Sequence, residues 1–382
     1  MEKINIDKRK YQETKEIELK QDVIVPDTKP DIFQIKDQNF YCYFNKVKMG
    51  NGKIDLNGNV DVSVLYLSSG EENIGLQSTI SFEDVLTNDN ILENMNLKYD
   101  IDIQKQEVKI VNERKISILL TLKITYEVYG VDSIELDNDF TDIEDVQVNS
   151  KRIAIHSLVG SNSNLASLKE EIKLESTDIA SDILKIATEI SNKEIKISHN
   201  KVLTKADLVV SITYLTKDER VCEIEEKFPV MSFIEIENVK EEDMCITDYQ
   251  VRNILLNMNN SEENSIIVQM EYEIYCKAFE NKELDVVSDL YSLKYDISFT
   301  TKEIEIASSN NETETIKIVQ NVSKKEISNQ EEYSMVVYCV KKNDSLWDIS
   351  KRFRVNQENI IKSNGLEEPY NLRVGEKIYV IR

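Results

Sequence analysis

The stretch Ile116-Ser-Ile-Leu-Leu-Thr-Leu-Lys-Ile-Thr-Tyr-Glu-Val-Tyr129 alternates apolar and polar side chains over most of its length. A period of two sends successive side chains to opposite faces of an extended chain, so the run reads as a long, half-buried β-strand. Val60-Asp-Val-Ser-Val-Leu-Tyr-Leu67 and Ser265-Ile-Ile-Val-Gln-Met-Glu-Tyr-Glu-Ile-Tyr275 carry the same pattern. Polar breaks at 68–73 and 216–220 end such runs and predict turns into antiparallel neighbours.

Working outward, these strands prove to be duplicated. Val62-Ser-Val-Leu-Tyr-Leu67 is echoed by Val210-Ser-Ile-Thr-Tyr-Leu215 at an offset of 148. Tyr126-Glu-Val-Tyr129 returns as Tyr272-Glu-Ile-Tyr275 at 146, and Glu135-Leu-Asp137 as Glu283-Leu-Asp285 at 148. Upstream, Asp27-Thr-Lys-Pro-Asp-Ile-Phe-Gln-Ile35 and Asp178-Ile-Ala-Ser-Asp-Ile-Leu-Lys-Ile186 share D-x-x-x-D-I-x-x-I at an offset of 151. Echoes at offsets this close imply one repeated, domain-sized unit, and antiparallel strands of this length suit a sandwich. The expected organisation is therefore mainly β and multidomain: two repeated antiparallel, sandwich-like domains at 1–150 and 151–310, a polar linker at 311–332 and a small module at 333–382. Ile32/Ile35 and Ile183/Ile186 are three apart, which predicts one helical turn capped by Asp or Ser. The Ser- and Asn-rich stretch 151–170 reads as a joint between the repeats, and 307–332 as a tether that frees the last module to move.

Charge separates the body from the tail. The chain of 382 residues carries a formal charge of −23, yet 335–382 holds nine Lys/Arg against six Asp/Glu, leaving −26 on the rest. An acidic body of that size repels nucleic-acid phosphates and anionic membranes at long range, so neither is an expected partner. Five scattered cysteines, an odd count without a C-x-x-C pair, make neither a disulfide framework nor a zinc site and read as packing groups. The charged amino-terminal residues lack the apolar run of a secretory signal, and no stretch approaches the roughly 18 apolar residues that span a bilayer. A cytoplasmic location is the expectation.

The tail reads as β-α-α-β. After a short strand, Asn343-Asp344-Ser345 supplies a helix cap, and Leu346, Ile349 and Phe353 form one apolar face. Asn356 caps a second helix that ends at Asn364-Gly365, and 377–381 alternates as a closing strand. Val337 to Val355, Ile360 to Leu366 and Leu372 to Ile378 resemble the LysM pattern, with Asn343 where Gly is usual and Val374 where Pro often stands. Asn tolerates the left-handed backbone that Gly would adopt there. The resemblance implies a shallow groove for N-acetylated sugars between two loops, which here draws on Asn343, Asp344, Ser345 and Leu346 and on Gly365, Leu366, Tyr370, Asn371 and Leu372.

Val23-Ile-Val-Pro-Asp-Thr-Lys-Pro-Asp-Ile-Phe-Gln-Ile35 resembles the V-P-D-x-K-P-D-I-x-x-I signature of the SPOCS domain (DUF3794) of endospore formers. SPOCS units followed by one LysM resemble the layout of SipL/SpoVID-type spore coat morphogenetic proteins. That likeness implies a mother-cell protein at the forespore surface, with the LysM module engaging the basal coat ATPase or an N-acetylglucosamine-containing peptidoglycan precursor. It implies no cofactor and no catalytic residue.

The rival is a LysM-targeted wall hydrolase or an exported peptidoglycan-binding protein. The only histidines, His156 and His199, stand outside H-E-x-x-H, and no G-x-S-x-G or Cys-His signature occurs, so metallo-, serine and cysteine hydrolysis lack their parts. A carboxylate pair cannot be dismissed by counting 70 Asp and Glu, but these lie mainly on the polar faces of alternating strands. The expected function is a non-enzymatic scaffold.

Overall fold

In a computed structural model, the chain is described over residues 2–136, 139–175, 178–259, 264–307, 313–327 and 335–381. The fold is mainly β and antiparallel. The first repeat runs through β1 (Glu2–Ile24), β2 (Ile32–Gly50), β3 (Lys53–Ser68), β4 (Asn73–Thr87), β5 (Asn96–Asn112) and β6 (Lys115–Leu136). The second runs through β7 (Val146–Lys173), β8 (Ala180–Ser198), β9 (Lys201–Thr216), β10 (Val221–Glu235), β11 (Met244–Asn259) and β12 (Ser265–Ser292). Each forms two three-stranded sheets of the same order, β1-β6-β5 and β2-β3-β4, then β7-β12-β11 and β8-β9-β10. Ile32 and Ala180, Lys53 and Lys201, and Asn73 and Val221 all stand 148 residues apart, so the echo of Val62–Leu67 in Val210–Leu215 is an echo of strands, whereas the D-x-x-x-D-I-x-x-I match, at 151, lies three residues out of that register.

The alternation decides which face is dry. In β3 every second residue is buried, and Val60, Val62, Val64 and Tyr66 share one cluster with Ile116, Leu120, Ile124 and Tyr126 of β6. The counterpart run in β9, Leu208, Val210, Ile212 and Tyr214, packs likewise with Val268, Met270 and Ile274 of β12. Each such side chain contributes about 1.5–3 kcal/mol relative to an exposed one. Cys42 lies in this setting, where burial pushes its thiol up to about 12 and keeps it protonated.

The loop that carries Val25-Pro26-Asp27 is held from within. The Arg114 guanidinium donates to the carbonyls of Val25 (3.0 Å), Pro26 (2.9 Å) and Lys29 (2.7 Å) and to Asp31 (3.0 Å). Tyr66 adds a bond to the Pro30 carbonyl at 2.8 Å. Asn264, which precedes β12 as Arg114 precedes β6, does the same in the second repeat by donating to the carbonyls of Glu175 and Asp178.

Three expectations are corrected. Ile32/Ile35 and Ile183/Ile186 lie in β2 and β8 and not in helical turns. Bulges at Ile32/Gln34 and Ile35/Asp37, matched at Ala180/Asp182 and Ile183/Lys185, each insert an extra residue, which gives a strand the three-residue spacing of a helix. A third bulge differs between repeats, falling between Phe44 and Lys46 in β2 but between Ser191 and Glu194 in β8. Second, 151–170 lies wholly inside β7, because its polar side chains have neighbours to bond: Asn162 donates to the Glu235 carbonyl at 2.9 Å and Ser163 to Glu273 at 2.8 Å. Third, the described part of the expected tether is strand. β13 (Tyr295–Ala307) pairs with β14 (Thr313–Glu326), and Ile316 and Ile318 bury their side chains. Residues 308–312 and 328–332 of that tether lie outside the described residues.

The chain divides into two compact units, neither continuous in sequence. One comprises Asp7–Asp132 and Leu158–Glu280, the other Met1–Ile6, Ser133–Ser157 and Asn281–Arg382. The second unit has its own core, with Ile4, Ile134, Ile155, Val286, Ile304 and Ile318 in one cluster.

Candidate functional site at the carboxy-terminal head

The head consists of β15 (Met335–Cys339), α1 (Leu346–Phe353), α2 (Gln357–Asn364) and β16 (Lys377–Ile381), with β15 and β16 antiparallel. The order read from sequence is the order found. Leu346, Ile349, Val355, Ile360, Ile378 and Val380 form its core.

Ser345 is the cap of α1. Its hydroxyl accepts from the Asp348 amide at 3.1 Å while the Asp348 carboxylate accepts from the Ser345 amide at 3.1 Å, a reciprocal capping box. Asn343 has φ 70°, the left-handed backbone expected of a residue in the place of Gly. Asp344 braces the loop and does not cap the helix: its carboxylate accepts from the Tyr338 hydroxyl at 2.7 Å and the Lys341 amide at 2.8 Å. The Tyr338 bond first, then the Lys341 amide and the nearby Arg352, hold the Asp344 carboxyl below the usual carboxylate range.

The second loop starts from Gly365, which ends α2 at φ 60°. Leu366 and Leu372 turn inward onto the core that also takes Leu346, so the two loops share one apolar anchor. Of the nine residues singled out in sequence, Asn343, Ser345, Gly365, Tyr370 and Asn371 are exposed, Asp344, Leu366 and Leu372 half-buried, and Leu346 buried. Tyr370 donates to Glu368 within the loop at 3.2 Å. The exposed set offers amides, hydroxyls and one phenol ring, which suits hydrogen bonding to a neutral polar ligand.

Sequence reasoning missed the other face of α1. Trp347 donates its indole N–H to Asp289 of β12 at 2.7 Å and meets the Tyr291 ring edge-on at 5.0 Å. Lys351 bonds the other oxygen of Asp289 and stands 5.2 Å from the Phe299 ring. Tyr291 donates to the Val355 carbonyl at 2.8 Å in a buried bond, and Arg354 pairs with Asp296 at 2.7 Å. The head is thus latched onto β12 and β13 within its compact unit. No local signal marks Asp289 or Tyr291, which stand about 60 residues from their partners in the chain.

Among the described residues no group of three His, Cys, Asp or Glu is placed to hold a metal, and no helix is long and apolar enough to cross a membrane. His156 lies half-buried in β7, and His199 is exposed at the turn between β8 and β9.

No curated protein matches the chain, and no solved structure does. Family comparison is positive in two places: residues 180–259, the span from the start of β8 to the end of β11, match the SipL SPOCS domain, and residues 338–380 match the LysM domain. The chain thus carries a SPOCS match followed by a LysM match.

Proposed function

We propose that this protein is a non-enzymatic scaffold of endospore coat or envelope assembly, working at the forespore surface in the mother-cell cytoplasm. Its two SPOCS-like repeats, 1–150 and 151–310, serve assembly, and its LysM head docks either a basal coat protein, an ATPase by family likeness, or an N-acetylglucosamine-containing glycan. One observation carries the reading. The head holds the α1 face against its own β12 and β13 while Asn343, Ser345, Gly365, Tyr370 and Asn371 stay exposed, so the loop pair is the end free to meet a ligand. The acidic body supports the same division, because a −26 surface favours solubility and basic partners over wall polyanions.

The test is saturation-transfer NMR on the full chain with chitotetraose, paired with imaging of a fluorescent fusion during sporulation. Transfer that is lost in Asn371→Ala or Ser345→Ala supports glycan docking. No transfer at millimolar sugar, with forespore localisation that depends on Tyr370 and Asn371, supports a protein partner. A fusion found in the medium of vegetative cells would overturn the coat reading.

A further inference from the structure

A second site lies far from the head in sequence, and its case is independent of the proposed docking role. A cleft of about 600 Å³ opens where the two repeats meet inside the larger compact unit, a size usual for ligand sites. β5 and β11 both border it, and each is the last strand of its sheet, paired on one side only. Gln250 of β11 donates its side-chain amide to the Tyr99 carbonyl of β5 at 3.4 Å, so one backbone acceptor of β5 meets a side chain where a strand would otherwise pair.

Three polar atoms lining this cleft, Asp7 Oδ1, Tyr99 Oη and Arg252 Nη1, are buried without a hydrogen-bond partner among the described residues, and the buried Tyr275 hydroxyl beside them has Ser161 within reach. A buried polar atom left unmatched has lost its water without gaining a partner, so the convergence of such atoms on one cleft marks a place built to be filled.

The chemistry of the filler follows by elimination. Arg252 covers one face of the Tyr99 ring at 5.1 Å and Lys277 one face of Tyr129 at 4.1 Å, which leaves less aromatic surface for the stacking that sugars and bases use. The lining cations Lys98, Arg252 and Lys277 are matched in number by Asp7, Asp248 and Glu273, with Arg252 paired to Glu273 and Lys277 to Asp7, so the cleft carries no net charge to draw an anion. What remains is a mixture of free donors and acceptors, an apolar lining from Val47, Met49, Leu97 and Phe279, and two strand edges. An extended backbone offers N–H and C=O groups in alternation with side chains to both sides.

We propose that the cleft between β5 and β11 binds an extended, uncharged peptide segment of a partner protein, added as a strand along the β11 edge from Met244 to Val251. The bulge at Val251/Asn253 ends the regular edge, and Ile246, 54% exposed, offers that strand an apolar contact.

The experiment screens the full chain against an array of randomised, acetylated and amidated octapeptides without charged residues. The best binder is titrated by fluorescence anisotropy in plain form and with alternate amides N-methylated in each of the two registers. Expected are a loss of about tenfold or more on methylation in one register and little in the other, as one register points its N–H groups at β11. Amide hydrogen exchange should slow within 244–251. Tyr99→Phe, which keeps the ring and its packing, should weaken binding by about three- to tenfold, and Arg252→Gln by more. The proposal is overturned if no octapeptide binds, if methylation in either register is without effect, if protection falls outside the cleft, or if chitotetraose or inorganic phosphate protects 244–251 in the peptide's place.

Discussion

The indole N–H of Trp347 and one carboxylate oxygen of Asp289 meet at 2.7 Å, and this bond joins the first turn of the head's first helix to β12. Asp289→Ala leaves both the indole and the Lys351 ammonium without that acceptor, at a cost of about 1–3 kcal/mol. Trp347 is the only tryptophan, so its emission reports the contact alone. The expected result is a red-shifted emission maximum and a lowered Tm, with Asp289→Asn in between because its amide oxygen still accepts. Unchanged emission in Asp289→Ala would mean that the latch is not formed in solution.

The paired residues Gly58 and Phe82 are replaced by Ala206 and Val230 at the same places of the second repeat. A Cβ on Gly58 would come within 2.3 Å of the Phe82 ring and 2.8 Å of the Tyr43 carbonyl. Gly58→Ala alone is expected to lose about 1–3 kcal/mol by overpacking, and Gly58→Ala with Phe82→Val to recover part of that loss. Chemical denaturation of the two single variants and the double variant measures the coupling; strict additivity would refute it.

Arg114 bonds three carbonyls of the loop that carries the SPOCS-like signature. Arg114→Ala should cost about 2 kcal/mol and speed amide exchange at Val25 and Ile32, whose amides bond the backbone carbonyls of Arg114 and Glu113. Exchange faster throughout β8 to β11 as well would show that the effect is global and not confined to this loop.

Asp344 supplies a pH dependence. Its carboxyl is held low when the head is folded, so its contribution is in place above the ordinary carboxylate value of 3.8 and is lost as pH falls through the lower, folded value. Tyr338→Phe removes the largest cause, and the Asp344 titration followed by carboxyl carbon NMR should then move upward toward 3.8. A midpoint that stays in place would assign the depression to Lys341 and Arg352.

Much of this was legible in the chain. Period-two alternation located β3, β6 and β12, and the 148-residue echo announced two repeats of the same sheet order. The LysM-like tail gave both helices, and Ser345 was among the residues offered as the cap that it proves to be. What misled was local chemistry with a distant cause. Bulges gave strands the spacing of a helical turn at Ile32 and Ile183, and Asn162 and Ser163 looked like linker residues because their partners, Glu235 and Glu273, are 73 and 110 residues away. Asp344 read equally well as a cap, and only the Tyr338 hydroxyl and Lys341 amide reveal it as a brace. The latch at Asp289 and Tyr291 had no signal of its own.

The unequal third bulge bears on how such a chain avoids mistakes while it folds. Duplicated strands invite β2 to settle on β9, or β8 on β3, in a swapped hairpin that would satisfy the alternation and both shared bulges. Past Phe44 the first repeat skips one residue of β2, whereas past Ser191 the second skips two of β8 and one of β9. Each irregularity leaves the same net shift of one residue, so a swapped pair would mismatch only around the bulge and regain step before the turn, which makes the third bulge a local penalty on swapping and not a register-wide one.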